Sequence, residues 1–176
     1  MTTKKLKSIL ITGASSGIGA ALAKEYASPS VKLVLIGRDP RRLKITQDTC
    51  LRLGAKVFTA VSDVTDKEAM ERVFDDLGPF HIVIANAGIS SSKEQNMAQN
   101  TRDIFSVNID GVANTVLPAI LRMQEQGGGN IGIVSSIAGF RGLPSAPAYS
   151  ASKAASKVWG EGLRSRYASK NIVISV

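Results

Sequence analysis

The chain has 176 residues, the size of one ordinary domain, and its 44% apolar and 20% charged residues exclude a disordered protein. Its single cysteine and single histidine leave too few ligands for a Cys/His zinc site. The net charge is +8, but cations never run longer than two and few aromatics accompany them, so we expect a solvated basic surface and no nucleic-acid partner.

Short apolar runs rich in β-branched residues alternate with longer amphipathic stretches along the chain. The runs predict six buried strands, at 9–11, 31–36, 57–61, 82–85, 131–134 and 172–176. The stretches between them predict five helices, at 17–27, 40–53, 66–77, about 98–126 and 149–169. This alternation is typical of a Rossmann-like α/β fold, a doubly wound parallel β-sheet with helices on both faces, and we expect residues 1–176 to form a single domain. No run approaches the ~20 residues that span a bilayer, so we expect a soluble, cytoplasmic protein without a transmembrane segment.

The first predicted strand runs into a glycine-rich segment, Thr-Gly-Ala-Ser-Ser-Gly-Ile-Gly at 12–19. Glycines allow a tight turn and close backbone approach, and the following helix offers free N–H groups and its positive dipole end to a pyrophosphate. A glycine-rich turn without a ligand is the alternative, but the position after the first strand favours dinucleotide binding. The residues expected to hold the cofactor here are Gly13, Ser15, Ser16, Gly17, Ile18 and Gly19.

The end of the second predicted strand bears on the choice between NAD and NADP. A carboxylate there binds the ribose 2′-hydroxyl of NAD, whereas an arginine accommodates the 2′-phosphate of NADP. The chain has Gly37 followed by Arg38, whose planar guanidinium suits a phosphate, while Asp39 before Pro40 is expected to cap the next helix. The pattern favours NADP(H) over NAD(H), with a merely solvated Arg38 as the alternative.

After the third predicted strand, Thr65 and Glu68 have the spacing of a capping box. If Thr65 caps the next helix, the neighbouring Asp63 is available for another role. Further along, His81 would start the fourth strand, at the end of the sheet opposite bound ligands, which argues against a Ser/His/Asp triad. Cys50 lies on a predicted helix without a partner, and we expect it to be a packing residue.

Tyr149 and Lys153 are four residues apart at the start of the last predicted helix, so their side chains share one face. A nearby ammonium makes a phenol more acidic, which suits general acid–base chemistry near neutrality. Ser136 ends the fifth strand, and its hydroxyl could stabilise a developing alkoxide. Ser135 competes for that role, but adjacent strand residues face opposite sides, so we expect only one of them to serve.

These segments resemble the short-chain dehydrogenase/reductase family over essentially the whole chain. The segment at 12–19 is similar to the family's glycine motif, and Asn86-Ala87-Gly88 to its Asn-Ala-Gly turn after the fourth strand. The family's catalytic tetrad matches, in order and spacing, Asn108, Ser136, Tyr149 and Lys153. The family's spacing of thirteen residues before the tyrosine selects Ser136 over Ser135.

The resemblance implies hydride transfer between NADP(H) and a carbonyl or alcohol substrate. Tyr149 would exchange the proton, Ser136 would orient the oxygen, Lys153 would bind the ribose hydroxyls, and Asn108 would hold a water of a proton relay. The resemblance also implies that Asp63 and Val64 contact the adenine. It further implies that the cofactor ribose passes close to Asn86, Ala87 and Gly88. An NAD-dependent enzyme and a cofactor-binding regulatory or scaffold protein without turnover are the alternatives.

Family members commonly assemble through the long helix and the helix that carries Tyr149, so we expect a homodimer or homotetramer. Beside the site, Phe140, Leu143 and Pro144 could line an apolar pocket, although loop packing would explain them too. The family's sixth strand is followed by a Pro-Gly turn and a substrate loop. This chain stops inside its predicted sixth strand, so we expect a domain that is incomplete at its C-terminus.

Overall fold

The computed structural model describes residues 7–90 and 96–176. Its strands are β1 Lys7–Thr12, β2 Val31–Gly37, β3 Lys56–Val61, β4 Ile82–Ala85, β5 Gly129–Ile133 and β6 Ile172–Ser175. Within the described residues these six strands form one parallel sheet in the order β3-β2-β1-β4-β5-β6. The α-helices are α1 Gly17–Tyr26, α2 Pro40–Arg52, α3 Lys67–Leu77, α4 Met97–Phe105, α5 Gly111–Gln126 and α6 Pro147–Tyr167. The predicted Rossmann-like α/β class is confirmed.

The central strand β1 shows how the sheet is buried on both faces. Ile9 and Ile11 pack on one face in a cluster that includes Leu43 of α2, whereas Leu10 packs on the other face in a cluster that includes Phe74 of α3. Successive strand residues point to opposite faces, so a continuous apolar run can serve two helical layers at once.

The first helix cap forms as the sequence indicates. The Asp39 side chain accepts hydrogen bonds from the backbone N–H groups of Arg41 and Arg42, both at 3.0 Å, with Pro40 as the first helical residue. One carboxylate oxygen therefore satisfies two donors that a helix start leaves unpaired.

The capping box predicted for Thr65 and Glu68 is wrong. The N-cap of α3 is Asp66, whose side chain accepts the Ala69 N–H at 2.9 Å. The backbone N–H and the hydroxyl of Thr65 both donate to Asp63 at 2.9 Å, so Thr65 belongs to the turn before the helix.

The long helix predicted over about 98–126 is not one continuous α-helix. Between α4 and α5 the backbone forms a π-helical turn at Ser106–Asp110, which holds the buried Asn108. Such turns are rare and occur often at functional sites, because the extra residue redirects side chains. The last helix also differs slightly, starting at Pro147 and ending at Tyr167 before a 3₁₀ turn, Ala168–Lys170.

The helical run Met97–Gln126 is long and apolar enough, by length and composition alone, to cross a membrane, and 44% of its most apolar 18-residue window is buried. On α5, Val116, Ile120 and Met123 belong to the core, whereas Leu117 and Leu121 are exposed. One side of the run therefore covers the sheet and the other presents leucines outward.

The strand order reverses at the centre of the sheet, where β1 lies between β2 and β4. In open α/β sheets, ligands bind beyond the carboxyl ends of the strands at such a reversal. Thr12 ends β1 and Ala85 ends β4 at this place, so the glycine segment and the Asn-Ala-Gly turn adjoin.

Candidate functional site

The glycine turn after β1 packs tightly against the turn after β4. Gly13 has φ +67°, and a Cβ there would lie 2.8 Å from the Ala87 Cα. A Cβ on Gly19, in the first turn of α1, would collide with the Gly13 carbonyl oxygen. The backbone therefore takes this path only with glycine at both positions, and the N-terminus of α1 is left open to a phosphate.

Asn86 holds the two turns together. Its Nδ2 donates to the Thr12 carbonyl oxygen at 2.9 Å, while its backbone N–H and that of Ala87 donate to the Thr12 hydroxyl at 3.1 Å. The Asn86 side chain is thus hydrogen-bonded to the end of β1, and Asn86, Ala87 and Gly88 all line the cavity.

A cavity of about 620 Å³ runs along the carboxyl ends of the strands, a volume in the usual range for cofactor sites. All the predicted cofactor residues line it except Gly19, which lies behind the turn. Of the predicted catalytic residues, Tyr149 and Lys153 line it, whereas Ser136 and Asn108 do not. The structure thus brings the glycine turn and the Tyr–Lys pair onto one cavity.

At one end of this cavity, Arg38 Nη1 and Asp63 Oδ2 form an ion pair at 3.2 Å. Burial opposes ionisation of Asp63, but the two hydrogen bonds from Thr65 and the Arg38 guanidinium outweigh it and hold the pKa of Asp63 below its usual range. Val64 is 5% exposed, so its side chain is in the core, and its carbonyl oxygen accepts Asn114 Nδ2 at 3.0 Å.

At the other end, Lys153 is buried beneath Tyr149. The Lys153 side chain is 4% exposed, its Nζ donates to the Val134 carbonyl oxygen at 2.8 Å, and the same atom lies 5.8 Å from the centroid of the Tyr149 ring. Burial lowers the pKa of Lys153 from its ordinary value of 10.5. The ammonium and the phenol ring are therefore neighbours, in a place where water screens the charge only weakly.

The two serines after β5 make different contacts. The Ser135 hydroxyl donates to the Lys153 carbonyl oxygen at 2.9 Å, which ties the strand end to α6. The Ser136 Oγ instead accepts the Ala138 N–H at 3.1 Å, as the cap of a 3₁₀ turn, Ile137–Gly139. This hydrogen bond uses Ser136 as an acceptor, so its O–H can still donate.

Asn108 is fully buried and acts as a connector. Its Oδ1 accepts the Ile89 N–H at 2.8 Å, and its Nδ2 donates to the Ile89 carbonyl oxygen at 2.9 Å and to the Ser152 hydroxyl at 3.0 Å. A Cβ on Gly88 would lie 3.2 Å from Asn108 Oδ1 and 3.4 Å from Lys153 Nζ. The absence of a side chain at Gly88 therefore lets Asn108 Oδ1 and Lys153 Nζ both approach this backbone closely.

The remaining candidates from the sequence lie elsewhere. His81 Nδ1 accepts the Ser8 backbone N–H at 2.9 Å at the start of β4, the opposite end of the sheet. Cys50 is buried, and burial raises the pKa of its thiol. Across residues 7–90 and 96–176 no group of three or more His, Cys, Asp or Glu side chains could hold a metal ion.

Arg42 is a cavity residue that the sequence analysis did not single out. It lies in the first turn of α2, four residues after Arg38, and its Nε is 3.5 Å from Asp39 Oδ2. The i, i+4 spacing of two arginines after β2 is the signal that could have identified it.

Comparison with known proteins shows similarity over most of the chain. The family model described as short chain dehydrogenase matches residues 7–176. The chain is 34% identical over 155 residues to 3-dehydrosphinganine reductase TSC10B of Arabidopsis thaliana, covering 85% of this chain and 47% of that protein, so it spans about half the length of this relative.

Two solved structures have the same fold. A short chain dehydrogenase from Mycobacterium paratuberculosis bound to NAD superposes with a TM-score of 0.87 at 27% identity, covering 97% of this chain and 71% of that one. L-sorbose reductase from Gluconobacter frateurii, complexed with NADPH and L-sorbose, superposes with a TM-score of 0.84 at 25% identity, covering 97% and 67%. Similar structures thus include complexes with both nicotinamide cofactors.

Proposed function

This chain belongs to the short-chain dehydrogenase family, and from that premise we propose that it transfers a hydride between NADP(H) and a carbonyl or alcohol substrate. Proteins of this family are oxidoreductases that bind NAD(H) or NADP(H). One observation carries the proposal: Tyr149 and Lys153 line the same cavity as the glycine turn. A proton donor and a dinucleotide cradle therefore share one space.

The residues present suit a dinucleotide. The open N-terminus of α1 would hold the pyrophosphate, Asn86-Ala87-Gly88 and Lys153 would adjoin the ribose, and Asp63 with Val64 would bound the adenine. When bound, the nicotinamide supplies or accepts the hydride. The protein supplies position and electrostatics.

The proton chemistry belongs to Tyr149, Ser136 and Lys153. In the reducing direction the Tyr149 phenol gives its proton to the substrate oxygen, and the free O–H of Ser136 stabilises the negative charge that develops there. Lys153, poorly screened beneath the ring, stabilises the phenolate that remains. In the oxidising direction the same groups work in reverse.

NADP(H) is proposed over NAD(H) because of Arg38. Gly37 at the end of β2 leaves this point without a carboxylate side chain, and Arg38 follows it with its side chain 60% exposed at the cavity. The Oδ1 of Asp39 is engaged as the cap of α2, and its Oδ2 lies 3.5 Å from Arg42 Nε. A 2′-phosphate is therefore the better partner for this end of the cavity.

The substrate is proposed to carry an apolar group. A groove of about 440 Å³ between the segment after β5 and the start of α6 is lined by Phe140, Leu143 and Pro144, and Phe140 is 75% exposed. The Arabidopsis relative is named for a reductase of 3-dehydrosphinganine, a ketone with a long apolar chain. We propose that the predicted apolar residues of this groove hold that group.

We further propose a cytoplasmic enzyme that forms a homodimer or homotetramer and acts on a small molecule. The surface offered to a second copy is the outer side of the helical run and α6, where Phe105, Leu117, Leu121 and Val158 are exposed.

The test of the function is Tyr149→Phe in the complete protein, measured with NADPH and a panel of apolar ketones. Loss of the general acid is expected to lower kcat by about 100- to 10,000-fold while cofactor binding persists. Tyr167→Phe, at the far end of α6, is the matched control and should retain wild-type activity. Ketone reduction by Tyr149→Phe at the wild-type rate would overturn the proposal.

A further inference from the structure

The end of the cavity that adjoins α2 is lined by four charged side chains. Arg38, Asp39 and Arg42 lie at the end of β2 and the start of α2, and the fourth, Asp63, follows β3. Arg41, the neighbour of Arg42 in the chain, does not line the cavity. Arg42 therefore faces the same space as Arg38, one helical turn away.

Both aspartates at this end are held in place by the backbone. Asp39 Oδ1 accepts two N–H groups at the start of α2, and Asp63 Oδ1 accepts the N–H and the hydroxyl of Thr65. The second oxygen of each carboxylate faces one arginine. Asp63 Oδ2 lies 3.2 Å from Arg38 Nη1, and Asp39 Oδ2 lies 3.5 Å from Arg42 Nε. The carboxylates thus orient the two guanidinium groups and remain beside them.

A guanidinium has five N–H donors, and each of these ion pairs leaves several of them free. The side chains of Arg38 and Arg42 are 60% and 67% exposed, so a ligand in the cavity can reach both. The free donors point to an anion that can accept several hydrogen bonds.

The charges show why one arginine is too few. With Arg38 alone, two fixed carboxylates would leave this end of the cavity with a net charge of −1, whereas Arg42 restores neutrality. A phosphate monoester carries about −1.5 to −2 at neutral pH, so it is repelled by a net negative site and accepted by a neutral site rich in donors.

We propose that Arg42 is a second ligand for the 2′-phosphate of NADP, acting together with Arg38. The inference rests on the NADP(H) preference proposed above and adds a specificity residue to it. Arg42 lines the end of the cavity that adjoins α2, so its removal is expected to weaken the binding of NADP(H) more than that of NAD(H).

The test uses two ligands that differ only in that phosphate, adenosine 2′,5′-bisphosphate and adenosine 5′-monophosphate, titrated calorimetrically without turnover. Arg42→Ala is expected to weaken binding of the bisphosphate by about 5- to 20-fold, the loss of a charged hydrogen-bond donor at an exposed site. Binding of the monophosphate should stay within about twofold of wild type.

Arg41→Ala is the matched control, since it removes the same charge from the same helical turn outside the cavity. It should change neither affinity by more than about twofold. Arg42→Lys keeps the charge but loses the planar fork, and an intermediate loss is expected.

Three results would overturn the role of Arg42: equal weakening by Arg41→Ala and Arg42→Ala, equal weakening of both ligands by Arg42→Ala, or no effect of Arg42→Ala. Arg38→Ala separates this failure from that of the proposed function. If Arg38→Ala selectively weakens the bisphosphate while Arg42→Ala does not, only the inference fails. If Arg38→Ala changes the affinity for both ligands equally, the proposed NADP(H) preference is wrong as well as the role of Arg42.

Discussion

Lys153 is a cation that the fold holds almost out of water. Its Nζ is bonded to the Val134 carbonyl oxygen, and the ring of Tyr149 lies 5.8 Å away. Burial disfavours the charged form, so the folded protein binds this proton less tightly than the unfolded chain does. Burial of Lys153 therefore lowers the free energy of unfolding at neutral pH. It also places a poorly screened charge beside the phenol.

This cost predicts a pH dependence of stability. Because the folded-state pKa of Lys153 is lowered, the penalty is fully present below that pKa and disappears as pH rises toward 10.5, the ordinary value in the unfolded chain. The free energy of unfolding of Lys153→Met minus that of wild type should accordingly be more positive at pH 7 than at pH 10. Urea denaturation at the two pH values measures it.

Lys157→Met serves as the control, because Lys157 forms an ion pair with Glu161 at 2.7 Å one turn further along α6. The difference in free energy of unfolding between Lys157→Met and wild type should not show the decrease from pH 7 to pH 10 that is expected of Lys153→Met. An identical pH response in the two variants would show that burial of Lys153 is not its source.

The adjacent serines should differ in their effect on catalysis. Ser136→Ala removes the O–H donor and is expected to lower kcat by about 100- to 1,000-fold, and loss of the cap of the 3₁₀ turn should cost about 1 kcal/mol of stability. Ser135→Ala removes the hydrogen bond to the Lys153 carbonyl oxygen and should cost about 1 kcal/mol of stability, with kcat close to wild type. Steady-state kinetics and urea denaturation of both variants check this, and the reverse pattern would assign the oxygen-binding role to Ser135.

Among the elements, the π-helical turn Ser106–Asp110 has the largest consequence for the site. It places the Asn108 amide against the backbone of Ile89 and the hydroxyl of Ser152, so that the segment after β4, the helical run and α6 meet at one side chain. Asn108 thus joins the segment after β4 to α6, the helix that carries Lys153.

Asn108→Ala should therefore destabilise the fold by more than an ordinary amide deletion. The substitution removes the partner of the Ile89 N–H, of the Ile89 carbonyl oxygen and of the Ser152 hydroxyl. The free energy of unfolding is expected to fall by about 2–4 kcal/mol. Asn114→Ala, on the same helical run, loses hydrogen bonds to only two carbonyl oxygens, those of Val64 and Thr65, and should lower the free energy of unfolding by about 1 kcal/mol. Equal costs in urea denaturation would contradict the connecting role of Asn108.

For the whole molecule, the reversal of strand order between β2 and β4 assembles the site. It places the glycine turn after β1 next to Asn86 after β4 and opposite Asp63 after β3, although these residues are far apart in the chain. Parallel strands bring their carboxyl ends to one edge, so each βα turn contributes to a single cavity.

The outer face of the helical run leads to a prediction about assembly. Leu117 and Leu121 are 50% and 59% exposed and lie one turn apart on α5. If this face is the contact between copies, Leu117→Lys with Leu121→Lys should raise the dissociation constant at least about 100-fold, since two buried leucines would become charged. Analytical ultracentrifugation of the complete protein measures the change.

Ile45→Lys changes an equally exposed apolar residue, 66% accessible on α2, and should leave the assembly intact. A wild-type oligomer that withstands both leucine substitutions would place the interface on another surface.

From the sequence alone, the fold class, the glycine turn, the Asp39 cap and the positions of Tyr149 and Lys153 could be predicted. Each depends on local spacing: the alternation of buried strands with helices, the position of glycines after a strand, and a four-residue interval on a helix. Chain geometry over a few residues is enough to determine such features.

Only the tertiary structure decided which partners those residues have. Thr65 was predicted to cap a helix and instead donates to Asp63, Asp63 pairs with Arg38, and Asn108 lies in a π-helical turn against Ile89. The fold also places Arg42 on the wall of the cavity. These contacts join segments whose proximity is set by the pairing of distant strands, and no property of the residues around Arg38 specifies that β3 will end beside it.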